Sequence, residues 1–384
     1  MDISSRSHGD HFVLTISGRL AGDTAASLDR DWLPPGTRKW TVNLAGCEYV
    51  SSAGLRVFIK MARDAKAQGV SLSFIDVLPN VLHVFDLTGL NQLLDVQPRP
   101  REISIDGLEF LSAGVCGQCF RMDEETIVKL YNEGVGREVA EQEKAFARAA
   151  FVAGIPTALS YDVVACGSRT GVVYEMLHAK LFSRVIGADP ENVTQYAAQL
   201  ADIAKNLHQT VGDPAVFPPL KPRLRTHIEE MKGLLSDSDI AHLLARLERI
   251  PEAETLVHFD LHTSNIMIRD GEPLIIDMGD VSRGHPLFDV GLLAMIYAYP
   301  EGGNCEFVTG MPNDLGRRLY EGFLEAYFAD RPPAEREFFL RNEAFLASLR
   351  LIAAIPVLPM ARDSLLEKIR DFLMPKIRNE GAQN

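Results

Sequence analysis

The chain lacks the marks of a secreted, membrane-spanning or nucleic-acid-binding protein. Five cysteines in 384 residues are an odd number and too few for a disulfide framework, so reduced thiols and a cytoplasmic setting are expected. No apolar run reaches the roughly eighteen residues of a membrane span. One of the longest, Leu351 to Ala361, is interrupted by Pro356 and Pro359. The opening residues MDISSRSHGD are polar, so no signal peptide is expected. Positive charge is in deficit, with 39 Lys+Arg against 52 Asp+Glu and a net charge of −13. The deficit is uneven: residues 1–98 carry nine basic against ten acidic side chains, and the remainder 30 against 42. Nucleic acid is therefore not an expected partner, whereas a cationic substrate or a basic protein would suit such a field.

A hydrophobic content of 46% supports packed cores, and the length predicts two or three domains. The most informative stretch is Leu256 to Asp280, LVHFDLHTSNIMIRDGEPLIIDMGD. Its pattern predicts two short strands, Ile266 to Ile268 and Leu274 to Ile276, joined by a turn over Arg269 to Pro273. The flanking polar residues Asp260, Asn265 and Asp277 are not what a hydrophobic core selects. A hairpin between them brings two carboxylates and an amide to one place. Phosphoryl transfer needs such a set, a base that orients a hydroxyl and oxygen ligands for Mg²⁺.

The five-residue step from Asp260 to Asn265 resembles the catalytic loop of the protein-kinase-like superfamily. His258-Phe259-Asp260 and Asp277-Met278-Gly279-Asp280 resemble its aminoglycoside phosphotransferase branch. That resemblance implies ATP bound between two lobes, Asp260 orienting an acceptor hydroxyl, and Asn265 and Asp277 on Mg²⁺. Upstream, strands are predicted at Leu108–Ser112, Cys119–Asp123 and Thr126–Tyr131, the first two around the turn Gly114-Val115-Cys116-Gly117-Gln118. A glycine turn between strands lets backbone N–H groups approach phosphates, although Ser112 and Cys119 stand where the family has Gly and Val. Cys116 and Cys119 read as two incidental thiols rather than half a zinc site. By the same resemblance, Lys129 holds the α- and β-phosphates. Its partner on the helix predicted from Arg137 to Ala153 is Glu143, with Glu141 as the fallback. Glu175 and Leu177, at the end of the strand GVVYEML, contact the adenine edge through backbone groups. Asp289 braces the catalytic loop, with His258 and His262 as loop supports. Amphipathic helices are predicted at Glu335–Ile352 and Ser364–Met374, in the region that forms the acceptor pocket of aminoglycoside-type kinases.

The N-terminal segment alternates strands with helices, which predicts an α/β layer. Strands are expected at His11–Leu20, Trp40–Leu44 and Val70–Val77. Helices are expected at Thr24–Trp32, from the Ser51-Ser52-Ala53-Gly54 loop to about Gln68, and at Val81–Leu90. Leu14-Thr15-Ile16-Ser17-Gly18-Arg19-Leu20 and the serine loop resemble a STAS domain, the fold of anti-sigma-factor antagonists. Alignment on Gly54 makes Ser52 the candidate phosphate acceptor, while Ser51 replaces the family's Asp. Either serine also serves as a helix cap.

The expected fold class is thus two domains, an N-terminal α/β STAS-like domain and a C-terminal α+β bilobal kinase-like fold. Its boundaries are 1–97, a Pro-rich linker at 98–104, an N-lobe at 105–177 and a helical C-lobe at 178–384. The expected activity is ATP-dependent phosphorylation of a hydroxyl on a small molecule or protein. The STAS-like module would regulate it or bind a regulatory protein. The alternative is a non-catalytic STAS–pseudokinase scaffold in anti-sigma partner switching.

Overall fold

The structure, a computed structural model, describes residues 1–28, 31–299 and 304–381. It divides into two compact units, Met1–Glu102 and Ile103–Asn384.

The first unit is built on a five-stranded sheet in sequence order: Asp2–His8, His11–Leu20, Lys39–Val50, Ser71–Val77 and Asp95–Pro98. The first pair is antiparallel and the others are parallel. Alternation explains the second strand, where Phe12, Leu14 and Ile16 are buried and Val13, Thr15 and Ser17 only partly so. The pattern did not reveal the edge strand Asp2–His8, because almost all of it is exposed. Helix Ser52–Ala67 buries Leu55, Phe58, Met61 and Ala65. Phe58 lies 4.9 Å from Phe74 and 5.9 Å from Phe85 between ring centroids. The helix expected at Thr24–Trp32 runs over Gly22–Leu28; Asp29 and Arg30, on which part of that expectation falls, lie outside the described residues.

In the second unit the strands Glu109–Ala113, Gly117–Arg121, Thr126–Tyr131, Arg169–Glu175 and Ser160–Cys166 are antiparallel neighbours in that order. Helix Arg137–Val152 turns Ala140, Glu143, Phe146 and Ala147 inward. A helical region follows, interrupted by the hairpin Ile266–Arg269 and Glu272–Ile275. Among the described residues no helix is long and apolar enough to cross a membrane.

Two expectations require correction. The helix expected over Glu335–Ile352 is two helices, Pro333–Leu340 and Glu343–Ala354. At the break, the Arg246 guanidinium donates to the Arg341 carbonyl at 3.2 Å and to Asn342 Oδ1 at 3.0 Å, a tertiary interaction invisible to helical periodicity. The Ser364–Met374 stretch is Arg362–Glu367 followed by a π-type segment, Lys368–Leu373.

Candidate active site

The loop from His258 to Asn265 is shaped by a buried carboxylate. Asp289, at the start of helix Leu287–Leu293, is wholly buried. It accepts from His258 N at 2.8 Å, Phe259 N at 2.6 Å and His208 Nε2 at 3.0 Å. These bonds hold Phe259 at φ +62°, a left-handed conformation that costs a bulky residue roughly 1–3 kcal/mol and survives only where neighbours enforce it. The turn aims the next residue, Asp260, at Asn265. Asn265 Nδ2 donates to the Asp260 carbonyl at 2.9 Å and to its Oδ2 at 3.2 Å. Behind the loop, Tyr297, in the π-type segment Ala294–Ala298, engages Thr263 Oγ1 at 2.9 Å.

The hairpin joins this loop to Asp277. Ile276 N donates to Asn265 O at 2.9 Å, and His258 Nε2 lies 3.1 Å from Ile276 O. Asp277 is itself left-handed, at φ +64°, and its Oδ1 accepts from Lys129 Nζ at 2.7 Å. Lys129 also reaches both Glu143 oxygens, at 2.9 and 3.0 Å. Glu143 is further bound by the hydroxyls of Tyr131 and Tyr174, the latter at 2.7 Å. Burial would push the Lys129 ammonium down, yet Glu143 and Asp277 hold it well above the ordinary lysine range. On helix Arg137–Val152 the carboxylate that meets Lys129 is thus Glu143; Glu141 pairs with Arg137 instead, at 3.0 Å.

The donor set fits a divalent cation beside bound phosphates. Asn265 Oδ1 and Asp277 Oδ2 accept no hydrogen bond among the described residues. Mg²⁺ needs only one or two protein carboxylates when phosphates and water complete its shell.

Around the glycine turn, Gly114 N donates to Gly117 O at 2.9 Å. A Cβ on Gly117 would lie 2.1 Å from Leu130 O, whereas one on Gly114 would meet nothing within 4 Å. Cys116, at the tip, is within electrostatic reach of Asp277, Lys129, Asp280 and Arg350. Burial pushes both the Cys116 and Cys119 thiols up. The described residues contain no cluster of three or more His, Cys, Asp or Glu side chains able to hold a metal. The Glu175 N–H is donated to Leu159 O at 2.9 Å, which removes it as a ligand donor. Leu177 lies just past the strand end, and its carbonyl accepts from Ala179 N at 2.9 Å; its own N–H has no acceptor among the described residues. In the first unit, Ser51 caps helix Ser52–Ala67 by accepting from Gly54 N at 3.4 Å, and Ser52 is exposed.

Sequence reasoning missed two arginines. Arg350 Nε donates to Asp260 Oδ1 at 3.2 Å, and its Nη2 lies 3.4 Å from Asp280 Oδ2. Arg223 lies 3.4 Å from Asp280 Oδ1 and donates to the Asp280 carbonyl at 3.3 Å. Arg350 is the one basic residue of helix Glu343–Ala354, and Arg223 is one of three Lys or Arg on helix Leu220–Glu229; neither pattern says which carboxylate the side chain meets.

Comparison with known proteins agrees with this geometry. The family model described as "Phosphotransferase enzyme family" matches residues 108–339, and that of the Mlab-type STAS domain matches residues 3–95. An anti-sigma-B factor antagonist of Staphylococcus epidermidis is 28% identical over 99 residues, which cover 25% of this chain and 92% of that protein. A thermostable mutant of an aminoglycoside phosphotransferase, in apo form, superposes with a TM-score of 0.53 at 14% identity, covering 73% of this chain and 98% of that one. A ternary complex of a related mutant with AMP-PNP and hygromycin B gives 0.50 at 14% identity with the same coverage. At these identities the two structures establish a fold alone, the kinase-like one of the second unit, and the STAS model establishes that of the first.

Proposed function

The chain belongs to the phosphotransferase enzyme family, and from that membership we propose that it transfers the γ-phosphoryl group of ATP to a hydroxyl acceptor. The observation that carries this reading is the convergence, within one unit, of the Lys129–Glu143–Asp277 network and the Asp260–Asn265 pair. Lys129 would leave Asp277 for the α- and β-phosphates. The glycine turn would close over them through backbone N–H groups, and the Leu177 N–H would meet the adenine edge. Asn265 and Asp277 would hold Mg²⁺, which neutralises phosphate charge when bound. Asp260 would align the acceptor hydroxyl. As the acceptor oxygen bonds to phosphorus, the bond to the β-phosphate oxygen breaks and its electron pair leaves with ADP; the hydroxyl proton passes to Asp260.

The STAS-like unit would act as a regulatory or partner-binding module. Ser52, with its neighbour Ser51 already serving as the cap, would be the residue that takes a phosphate there. A phosphate at the first turn of a helix meets free N–H groups and the favourable end of the helix dipole.

The test is ADP release with Mg-ATP and a panel of hydroxyl compounds, including aminoglycosides, amino alcohols, polyols and hydroxyl-bearing peptides. Wild type should turn over at least one of them. Asp260→Asn should keep the Mg-ATP-induced rise in melting temperature and lose at least roughly 10²-fold in rate. A scaffold without catalysis would leave wild type and variant equally inactive, and would overturn the proposal.

A further inference from the structure

We propose that Arg350 is a positioning residue for phosphoryl transfer, fixing the Asp260 carboxylate in the orientation from which it takes the acceptor's proton. The inference rests on the phosphotransferase reading and adds a group ninety residues downstream of the catalytic loop. Packing places it there. Helix Glu343–Ala354 approaches helix Leu287–Leu293 closely at Gly291, where a Cβ would lie 2.5 Å from Leu346 Cβ. Arg350 is one helical turn beyond Leu346, on the same side, and from there reaches Asp260.

The two oxygens of Asp260 are held from different elements. Oδ1 accepts from Arg350 Nε at 3.2 Å and Oδ2 from Asn265 Nδ2 at 3.2 Å. Rotation of the carboxylate breaks one bond or the other, while each oxygen keeps lone-pair capacity for an incoming hydroxyl. Arg350 is itself fixed. Its second nitrogen meets Asp280 at 3.4 Å, its guanidinium carbon lies 5.6 Å from the Phe259 ring centre, and Asp280 is held in turn by Arg223. The groups facing Asp260 are Arg350 from helix Glu343–Ala354 and His258, His262 and Asn265 from its own loop, with Asp277, Asp280 and Arg223 beyond.

Burial would raise the Asp260 carboxyl, but the Arg350 charge foremost holds it far below the usual carboxylate range. Burial lowers His262, so Arg350 supplies the fixed positive charge near neutral pH. A carboxylate held this way is a weak base. It orients the hydroxyl and takes the proton only as the new O–P bond forms.

The experiment measures ADP release by the full chain as a function of acceptor concentration, at saturating Mg-ATP, with water and with the hydroxyl panel. Wild type, Arg350→Lys and Arg350→Met are compared, and the Mg-ATP thermal shift of each serves as the nucleotide-site control. Arg350→Met should keep the thermal shift and lose roughly 10- to 100-fold in rate, as expected for misplacement of a catalytic group. The loss should fall on kcat, with the acceptor KM nearly unchanged, and Arg350→Lys should recover part of it. If Arg350→Met does not fold, Asp280→Asn, which frees Arg350 without removing its charge, should give an intermediate loss. An unchanged rate, or a loss that Arg350→Lys does not partly recover, overturns the positioning role alone. A wild type that shows the thermal shift and releases no ADP on any acceptor overturns the phosphotransferase reading and this role with it.

Discussion

Replacing Asp289 by Asn tests how the catalytic loop is held. The substitution keeps the shape of the side chain and removes one acceptor oxygen and the charge. Asp289 serves three donors, two of them the adjacent backbone N–H groups of His258 and Phe259. An Asn serves one side with its oxygen and turns its NH₂ toward a donor on the other. The loss is one charge-assisted hydrogen bond, roughly 1.5–3 kcal/mol, and one buried N–H left unpaired, roughly 1–3 kcal/mol. The left-handed Phe259 then lacks its restraint. A sum of about 4 kcal/mol, at roughly 2 °C per kcal/mol for a unit of this size, lowers its melting temperature by about 8 °C. Both tryptophans, Trp32 and Trp40, lie in the first unit, so their fluorescence reports that unit and is the reference. Far-UV circular dichroism, dominated by the helices of the second unit, carries the measurement. A fall smaller than about 2 °C in the dichroism transition would refute the idea that Asp289 braces the loop.

Three further outcomes are expected. Lys129→Met should abolish the Mg-ATP-induced thermal shift and cost roughly 3 kcal/mol, because Glu143 stays buried without its counter-charge; a shift equal to wild type would contradict the phosphate-binding role. Gly117→Ala should destabilise by roughly 1–3 kcal/mol, since its Cβ would overlap the Leu130 carbonyl, while Gly114→Ala should stay within roughly 0.5 kcal/mol; equal denaturant midpoints for the two would contradict the described turn. His285, whose Nδ1 accepts from Leu287 N at 3.3 Å, is pushed by burial from 6.5 down to about 4. The unfolded chain therefore binds the proton first as pH falls. Stability should be full above about pH 6.5 and decline by roughly 2–3 kcal/mol toward pH 4, and His285→Asn should flatten that slope in melting temperatures measured across the range.

Much of the candidate site was legible because its residues are local in sequence. Asp260, Asn265 and Asp277 flank one hairpin, whose strand pattern and polar flanks need no knowledge of the rest of the chain. Lys129 ends an apolar run at a fixed distance from a glycine turn. In the first unit, alternation marked the interior strand His11–Leu20. It could not mark Asp2–His8, whose side chains face solvent. The signal there was the two-residue turn Gly9-Asp10, with Gly9 at φ +60°, a hairpin connection.

Tertiary structure alone decided the rest. The broken helix at Arg341-Asn342 depended on a guanidinium from nearly a hundred residues away. Arg350 gained its place only when helix packing, permitted by the missing side chain at Gly291, carried it to the catalytic loop, and Arg223 arrives from a separate helix, Leu220–Glu229. Hydrophobic periodicity records whether a residue faces a core or solvent; it does not record which partner a polar side chain meets once remote elements pack together. The sequence therefore determined the chemistry that this loop has available, and the packing of distant helices determined which charges hold it in place.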